Sequence, residues 1–145
     1  MKIIIGCDPN ASALKEELKE LILSLGHELE DYGSDDPIYG HTAIRVAEAV
    51  AAGKADRGVL LCGTGLGMCL AANKVRGAYA ALLTDNYSAA RAILSNDSNI
   101  ACIGAGTIGS YLAKTLLETW LSLEYDPNCR SREKVACYQE YDANR

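Results

Sequence analysis

The 145-residue sequence lacks the features of several protein classes. No apolar run approaches the 18 residues of a membrane-spanning helix, and residues 1–6 are a short strand-like stretch without a signal-peptide cleavage site. The formal net charge of −5 leaves no basic stripe that could neutralise a nucleic-acid backbone. We therefore expect neither a membrane nor a nucleic acid as a partner, and we expect a cytoplasmic protein.

Histidine is scarce, and the cysteines do not form metal-binding pairs. The only histidines are His27 and His41, and none of the six cysteines belongs to a C-x-x-C pair. A zinc site or a secreted disulfide framework therefore fits poorly. We expect no metal, and we expect thiols that are mostly reduced and buried.

The residues that are present have the composition of one folded domain. Apolar residues make up 49 % and charged residues 23 %, close to the average for soluble globular proteins, which argues against disorder or a coiled coil. A chain of this length buries roughly two-thirds of its unfolded surface. We predict a single domain over residues 1–145.

Short β-branched segments alternate with helical patterns along the chain. Strands are predicted over residues 2–6, 28–32, 58–62, 78–83 and 99–103. Helical spacing of apolar residues follows these segments within residues 14–25, 42–52, 67–74, 87–94 and 108–123. Five such βα units predict an α/β fold with a parallel, doubly wound five-stranded sheet between two layers of helices.

The glycine-rich turn after the third strand is the strongest chemical signal. Cys62 ends a buried strand and is followed by Gly63, Gly65 and Gly67 at the predicted start of a helix. Unpaired backbone N–H groups converge at such a position and stabilise a thiolate or an oxyanion. Thr64 adds one hydroxyl that can donate or accept a hydrogen bond. The alternative is a buried cysteine beside a tight turn.

A dinucleotide site is the main rival for this turn. Asp85 lies about 20 residues further on, as the ribose-binding acid of such sites does. The spacing is wrong, however, because Met68 stands where the third glycine of G-x-G-x-x-G belongs. Met68 also stands where a cysteine phosphatase would need its arginine.

Polar residues elsewhere have a functional and an ordinary interpretation. Asp8 follows the first strand, where it could orient a sugar hydroxyl or cap the next helix. Asn96 precedes the fifth strand in a polar turn, and Tyr39 follows a turn. Arg130 and Lys134 lie four residues apart, so we expect both on one face of a final helix, where they suit a phosphate dianion or are solvated surface charges.

Over essentially its whole length the sequence resembles the type B ribose-5-phosphate isomerase and galactose-6-phosphate isomerase family. The resemblance is carried by the Cys-Gly-Thr-Gly-Leu-Gly and Ala-Asn-Lys motifs at 62–67 and 72–74, and by residues 4–8, 14–18, 87–89 and 95–97. It implies a Rossmann-like α/β/α fold, no cofactor, and a homodimer or tetramer with active sites between subunits. The segment 126–145 would then pack on a partner subunit.

The resemblance also implies a role for each candidate residue. Cys62 corresponds to the base that moves a proton between C1 and C2 of a phosphorylated sugar. The amides of 63–67, among them Gly63, Gly65 and Gly67, correspond to the anion hole for a cis-enediolate. The remaining candidates correspond to polar, sugar and phosphate contacts: Thr64 and Asn96 to polar support, Asp8 to a hydroxyl contact, Tyr39 to a pocket tyrosine, and Arg130 with Lys134 to a phosphate-binding pair.

Two departures from the family pattern bear on the substrate. Pro9 stands where the family usually has a histidine near the phosphate, and Ser95 stands where the pentose and hexose enzymes carry the histidine that opens the sugar ring. A tetrose 4-phosphate cannot close a furanose ring because its O4 carries the phosphate, so it needs no ring opening. The context of Ser95 also resembles the branch that interconverts D-erythrulose 4-phosphate and D-erythrose 4-phosphate.

Other interpretations stay open at this point. The chain could isomerise ribose 5-phosphate, or it could be one subunit of a hetero-oligomeric galactose-6-phosphate isomerase. A sugar-phosphate sensor without turnover would use Cys62 only for packing. A redox function is less attractive because no second cysteine lies close to Cys62 in sequence.

Overall fold

The side chains of the first strand alternate between two apolar environments. A computed structural model describes residues 1–145, in which Ile3 and Ile5 belong to one buried cluster and Ile4 to another. Successive side chains of a strand point to opposite faces, so such a strand must be covered by helices on both sides. The predicted α/β architecture is confirmed.

The strands and helices follow one another in the predicted order. The strands are β1 (Lys2–Cys7), β2 (Glu28–Asp31), β3 (Arg57–Cys62), β4 (Ala80–Leu82) and β5 (Ile100–Gly104). The helices are α1 (Ser12–Ser24), α2 (Tyr39–Ala51), α3 (Leu66–Ala72), α4 (Asn86–Leu94), α5 (Ser110–Ser122) and α6 (Arg132–Asn144). All strand pairs are parallel, in the order β2-β1-β3-β5-β4.

Two separate cores lie on the two faces of the sheet. Helices α1, α4 and α5 cover one face, and the largest side chain there is the fully buried Trp120, whose indole N–H donates to Ser98. Helices α2 and α3 cover the other face with small residues and Met68. The order of strands reverses between β1 and β3, and the carboxyl ends of strands at such a reversal form a crevice where α/β proteins bind ligands.

Several predicted boundaries are wrong by a few residues. Helix α2 begins at Tyr39 rather than at residue 42, and α3 ends at Ala72 rather than near residue 74. Helix α6 begins at Arg132, so Arg130 is not on the final helix as expected but in the turn before it. The helical pattern in this tail is weak because only Val135 and Asp142 of α6 are buried.

Different side-chain hydrogen bonds are made at the two edges of the sheet. At one edge the side-chain amide of Asn73 donates to the carbonyl of Ala80 at 2.9 Å and accepts from its N–H at 2.8 Å, as a paired strand would. At the other edge, the carboxylate of Asp31 accepts hydrogen bonds from the ammonium groups of Lys15 and Lys19, both at 2.8 Å. These contacts tie α3 to β4 and α1 to β2.

Helix α6 is attached to its own chain through polar contacts. The buried carboxylate of Asp142 accepts from the Gly77 N–H at 2.7 Å and from the Tyr79 hydroxyl at 3.0 Å. The Tyr138 hydroxyl donates to the carbonyl of Asn96. The packing of residues 126–145 on a partner subunit stays a prediction. Every helix of the chain is too short or too polar to cross a lipid bilayer.

Candidate active site

Cys62 lies at the carboxyl end of β3, beneath the glycine-rich turn. Its side chain belongs to the core under α2 and α3 and is 4 % exposed. The Gly65 N–H donates to the Cys62 sulfur at 3.1 Å. This contact places a backbone donor directly against the sulfur. The predicted meeting of cysteine and backbone N–H groups is therefore present.

The turn also contains backbone donors that have no acceptor. The N–H groups of Gly63, Thr64, Gly67 and Met68 make no hydrogen bond within the chain, while that of Leu66 bonds to the Thr64 hydroxyl oxygen at 3.2 Å. Unpaired N–H groups at a helix start carry partial positive charge. The turn can thus receive a negatively charged oxygen close to the cysteine.

A second loop supports the glycine-rich turn from below. The Ala105 N–H donates to the carbonyl of Cys62 at 2.9 Å, and the Gly106 N–H donates to that of Gly63 at 2.8 Å. Gly65 has a φ of +77°, which a residue with a Cβ rarely adopts. These contacts hold the turn in one conformation, so that its free donors are preorganised.

Tyr39 and Asp8 lie at the same end of the sheet. The Tyr39 ring covers Gly67 so closely that a Cβ at Gly67 would overlap it. The Asp8 N–H donates to the carbonyl of Leu61 at the end of β3. Asp8 is 6 % exposed, and its carboxylate accepts from the backbone N–H of Asn10 at 3.1 Å, so it caps the short 3-10 helix Pro9–Ala11. Its contact with a sugar hydroxyl stays a prediction.

A pair of cysteines that sequence analysis did not single out lies in the same core. The hydrogen bond from the Cys102 thiol lowers the pKa of Cys69 to about 7, against the effect of burial, with a further bond from Asn73. The same bond and complete burial raise the pKa of Cys102. Cys69 is half-buried. All six cysteines are free, and Cys7, Cys62 and Cys102 are buried.

The basic candidates line a cavity of their own. Asn96, Arg130 and Lys134 contribute to a cavity of 480 Å³, whose other lining residues are Tyr87, Arg91, Ser95 and Ser131. Neither Arg130 nor Lys134 takes part in an ion pair. The side chain of Asn96 makes no hydrogen bond within the chain, so its amide is available to a ligand.

The candidate residues form two groups at opposite ends of the sheet. The loop group, which consists of Asp8, Tyr39 and residues 62–67, lies at the carboxyl ends of β1 and β3. The basic group, which consists of Asn96, Arg130 and Lys134, lies at the amino end of β5. Cys62 pairs with Gly104 at the carboxyl end of β5, and Ile100 lies four residues earlier, at the amino end of that strand. Four residues of strand span about 13 Å, and Asn96 lies beyond Ile100. One chain does not bring the groups together.

Arg91 is a cavity residue that sequence analysis did not identify. It stands one helical turn before Ser95, and its Nε donates to the Ser95 hydroxyl oxygen at 2.6 Å. The i, i+4 spacing was the only signal in the sequence that could have revealed this pair. No group of three His, Cys, Asp or Glu side chains is arranged to hold a metal ion.

The sequence also matches a family of known proteins. A sequence model of ribose/galactose isomerases matches residues 3–137. The chain belongs to the ribose/galactose isomerase family. It is 43 % identical over 145 residues to ribose-5-P isomerase B of Listeria innocua, with 98 % of this chain and 97 % of that protein covered.

Further members of the ribose/galactose isomerase family match over most of their length. The chain is 41 % identical over 141 residues to D-erythrulose-4-phosphate isomerase 2 of Mycolicibacterium smegmatis, with 93 % of each chain covered. The solved structure of type B ribose 5-phosphate isomerase from Trypanosoma cruzi superposes with a TM-score of 0.93 at 34 % identity, with 100 % of each chain covered. The chain is therefore an isomerase with the fold of this family.

Proposed function

We propose that the protein interconverts D-erythrulose 4-phosphate and D-erythrose 4-phosphate, with Cys62 moving a proton between C1 and C2 through a cis-enediolate. The coarser assignment, an aldose–ketose isomerase of sugar phosphates, follows from membership of the family. The observation that carries the mechanism is the contact of the Cys62 sulfur with the Gly65 N–H beside unpaired backbone donors.

The proposed proton transfer uses the chemistry of the loop group. The Cys62 thiolate takes a proton from the carbon next to the carbonyl, and the electron pair left behind forms the enediolate. The free N–H groups of the turn carry the charge on its oxygen, which is the electrostatic contribution that usually dominates such steps. The thiol then returns the proton to the neighbouring carbon.

A second proton must pass between O1 and O2 of the substrate. Thr64, Asp8 and the substrate itself can carry it. The Thr64 hydroxyl oxygen accepts from Leu66 and keeps its own proton for donation, and its side chain is exposed. The Asp8 carboxylate is buried and already occupied by Asn10. These contacts favour Thr64 as the carrier.

Two copies of the chain are required in this proposal. The base belongs to the loop group and the phosphate ligands belong to the basic group, at opposite ends of one sheet. A short sugar phosphate spans far less than the separation of the two groups. We therefore propose a homodimer, alone or paired into a tetramer, in which the loop group of one copy faces the basic group of the other.

The tetrose substrate is inferred from the residue at position 95. A pentose 5-phosphate closes through its free O4 and needs an acid–base group for ring opening, whereas a tetrose 4-phosphate stays open. The Ser95 hydroxyl oxygen accepts a hydrogen bond from Arg91, and position 95 carries no imidazole that could serve as the acid–base group of ring opening. The alternative is a ribose 5-phosphate isomerase, in line with the names of other relatives.

The substrate is tested by assaying the purified chain against four-, five- and six-carbon aldose phosphates. We expect the highest kcat/KM with erythrose 4-phosphate. A kcat/KM for ribose 5-phosphate equal to or above that for erythrose 4-phosphate would overturn the tetrose assignment. The assignment as a sugar-phosphate isomerase would not be affected. Inactivity of the pure chain that a second, unlike subunit restores would favour a hetero-oligomeric galactose-6-phosphate isomerase.

The base is tested by solvent-deuterium exchange. The Cys62→Ala variant should no longer incorporate deuterium at C2, and retained exchange would place the base elsewhere. Binding of a sugar phosphate without turnover, unaffected by thiol alkylation, would indicate a sensor instead of an enzyme.

The shared site is tested by mixing two inactive variants, Cys62→Ala and Arg130→Ala, under conditions that exchange subunits. About half of the dimers would be mixed and would hold one intact site of two, so about a quarter of wild-type activity should return. The matched control mixes Cys62→Ala with Thr64→Ala, which lie in the same group, and should return none. Recovery in neither mixture would refute a site shared between copies.

A further inference from the structure

The cavity of the basic group holds more positive charge than the proposed phosphate pair accounts for. Arg91, Arg130 and Lys134 all line it, and no acidic side chain does. None of the three forms an ion pair, in a chain whose formal net charge is −5. Three unpaired cations around one cavity repel one another unless an anion lies between them.

Arg91 differs from the other two cations because it is fixed in place. Arg130 and Lys134 are exposed and make no side-chain hydrogen bond, whereas the half-buried Arg91 donates its Nε proton to the Ser95 oxygen at 2.6 Å. The bond leaves both terminal nitrogens of the guanidinium free, with no acceptor in the chain. A guanidinium held in this way loses little side-chain entropy when it binds an anion in bidentate fashion.

Arg91 also stands between two neighbouring cavities. It lines both the 480 Å³ cavity and a neighbouring cavity of 630 Å³, so it forms part of the wall between them. Asn96, whose amide is unpaired, shares this wall. A phosphate bound to Arg91 would therefore place the rest of its molecule beside Asn96.

We propose that Arg91 is a third ligand of the substrate phosphate and that Ser95 is its positioning residue. The inference rests on the proposed function for the identity of the substrate but not for the presence of an anion site. In this proposal Ser95 has a role other than ring opening. Its hydroxyl oxygen is an acceptor that orients the Arg91 guanidinium towards the phosphate. The additional cation would offset the smaller number of hydroxyl contacts that a four-carbon sugar can make.

The first test measures inorganic phosphate binding by calorimetry, which needs no catalysis. We expect Arg91→Gln to weaken phosphate binding about tenfold or more, because a charge-assisted hydrogen bond is lost. Ser95→Ala keeps the charge and should weaken binding about two- to fivefold. The matched control is Arg76→Gln, which removes the same charge from an exposed arginine outside both cavities and should stay within twofold of wild type.

The second test separates this inference from the proposed function. With erythrose 4-phosphate, Arg91→Gln should raise KM about tenfold and change kcat by less than threefold, and Arg91→Lys should recover part of the loss. Thermal unfolding of each variant confirms that it is folded. If wild type binds phosphate and Arg91→Gln does not, Arg91 is a phosphate ligand even when no sugar phosphate is turned over. Phosphate affinity of Arg91→Gln equal to that of Arg76→Gln would overturn the inference.

Discussion

Replacing Gly65 by alanine should destabilise the chain far more than the same change at Gly63. Gly65 has a φ of +77°, and a left-handed conformation costs an L-residue with a Cβ about 1–2 kcal/mol. The new Cβ would also lie 2.6 Å from Leu82 Cδ1 and 3.0 Å from the carbonyl carbon of Ile103. Overpacking of this kind costs about 1–3 kcal/mol, so we expect a total loss of about 2–5 kcal/mol.

Gly63 provides the matched control two residues earlier in the same turn. A Cβ there would meet no atom within 4 Å, and its φ is not in the left-handed region. Gly63→Ala should therefore be neutral, or stabilising by up to about 1 kcal/mol through the unfolded chain. Urea unfolding of both variants at one protein concentration measures the difference. Free energies of unfolding within about 0.5 kcal/mol of each other would refute the assignment of strain to Gly65.

Two further predictions concern titratable groups. Burial opposes ionisation of Asp31, but hydrogen bonds from Lys15 and Lys19 lower its pKa from 3.8 to about 2. Solvent screens these ion pairs because Asp31 is partly exposed, so the depressed pKa contributes about 1 kcal/mol or less of stability, which is present above pH 4 and lost as the pH falls through 2. The stability gap between wild type and Asp31→Asn should therefore be full at pH 7 and close towards pH 2. A gap that is constant with pH in urea unfolding would contradict this. The alkylation rate of Cys69 should rise through a midpoint near pH 7, and Cys102→Ala should move that midpoint upward, because it removes the main hydrogen bond to the thiolate. Peptide mass mapping follows the rate, and an unmoved midpoint would exclude Cys102 as the cause.

The fold could be predicted because the apolar pattern was unambiguous. The buried runs at β1, β3 and β5 alternate with helical spacing, and glycine marks the turn after Cys62. Boundaries that depend on tertiary contacts could not be predicted. At the start of α2 the Tyr39 ring packs on Gly67, and directly after α3 the Asn73 side chain bonds to Ala80. Both contacts join residues that are far apart in sequence or belong to different elements.

The site was predicted residue by residue, but not its division into two groups. Cys62 ends β3, and Asn96 precedes β5, the neighbour of β3 in the sheet. In a parallel sheet these two positions lie at opposite ends. That separation follows from the sequence once the strands are predicted to be parallel. The hydrogen bond between Arg91 and Ser95 could not be predicted, because many arginines stand four residues before a serine without contacting it.

The two edge strands, β4 and β2, are poor partners for a strand of another molecule. Asn73 occupies the backbone groups of Ala80 that a foreign strand would need, and β2 presents the acidic side chains of Glu28, Glu30 and Asp31. Charged and capped edges resist the open-ended strand addition that leads to fibres. Strand addition at either edge of the sheet is therefore disfavoured.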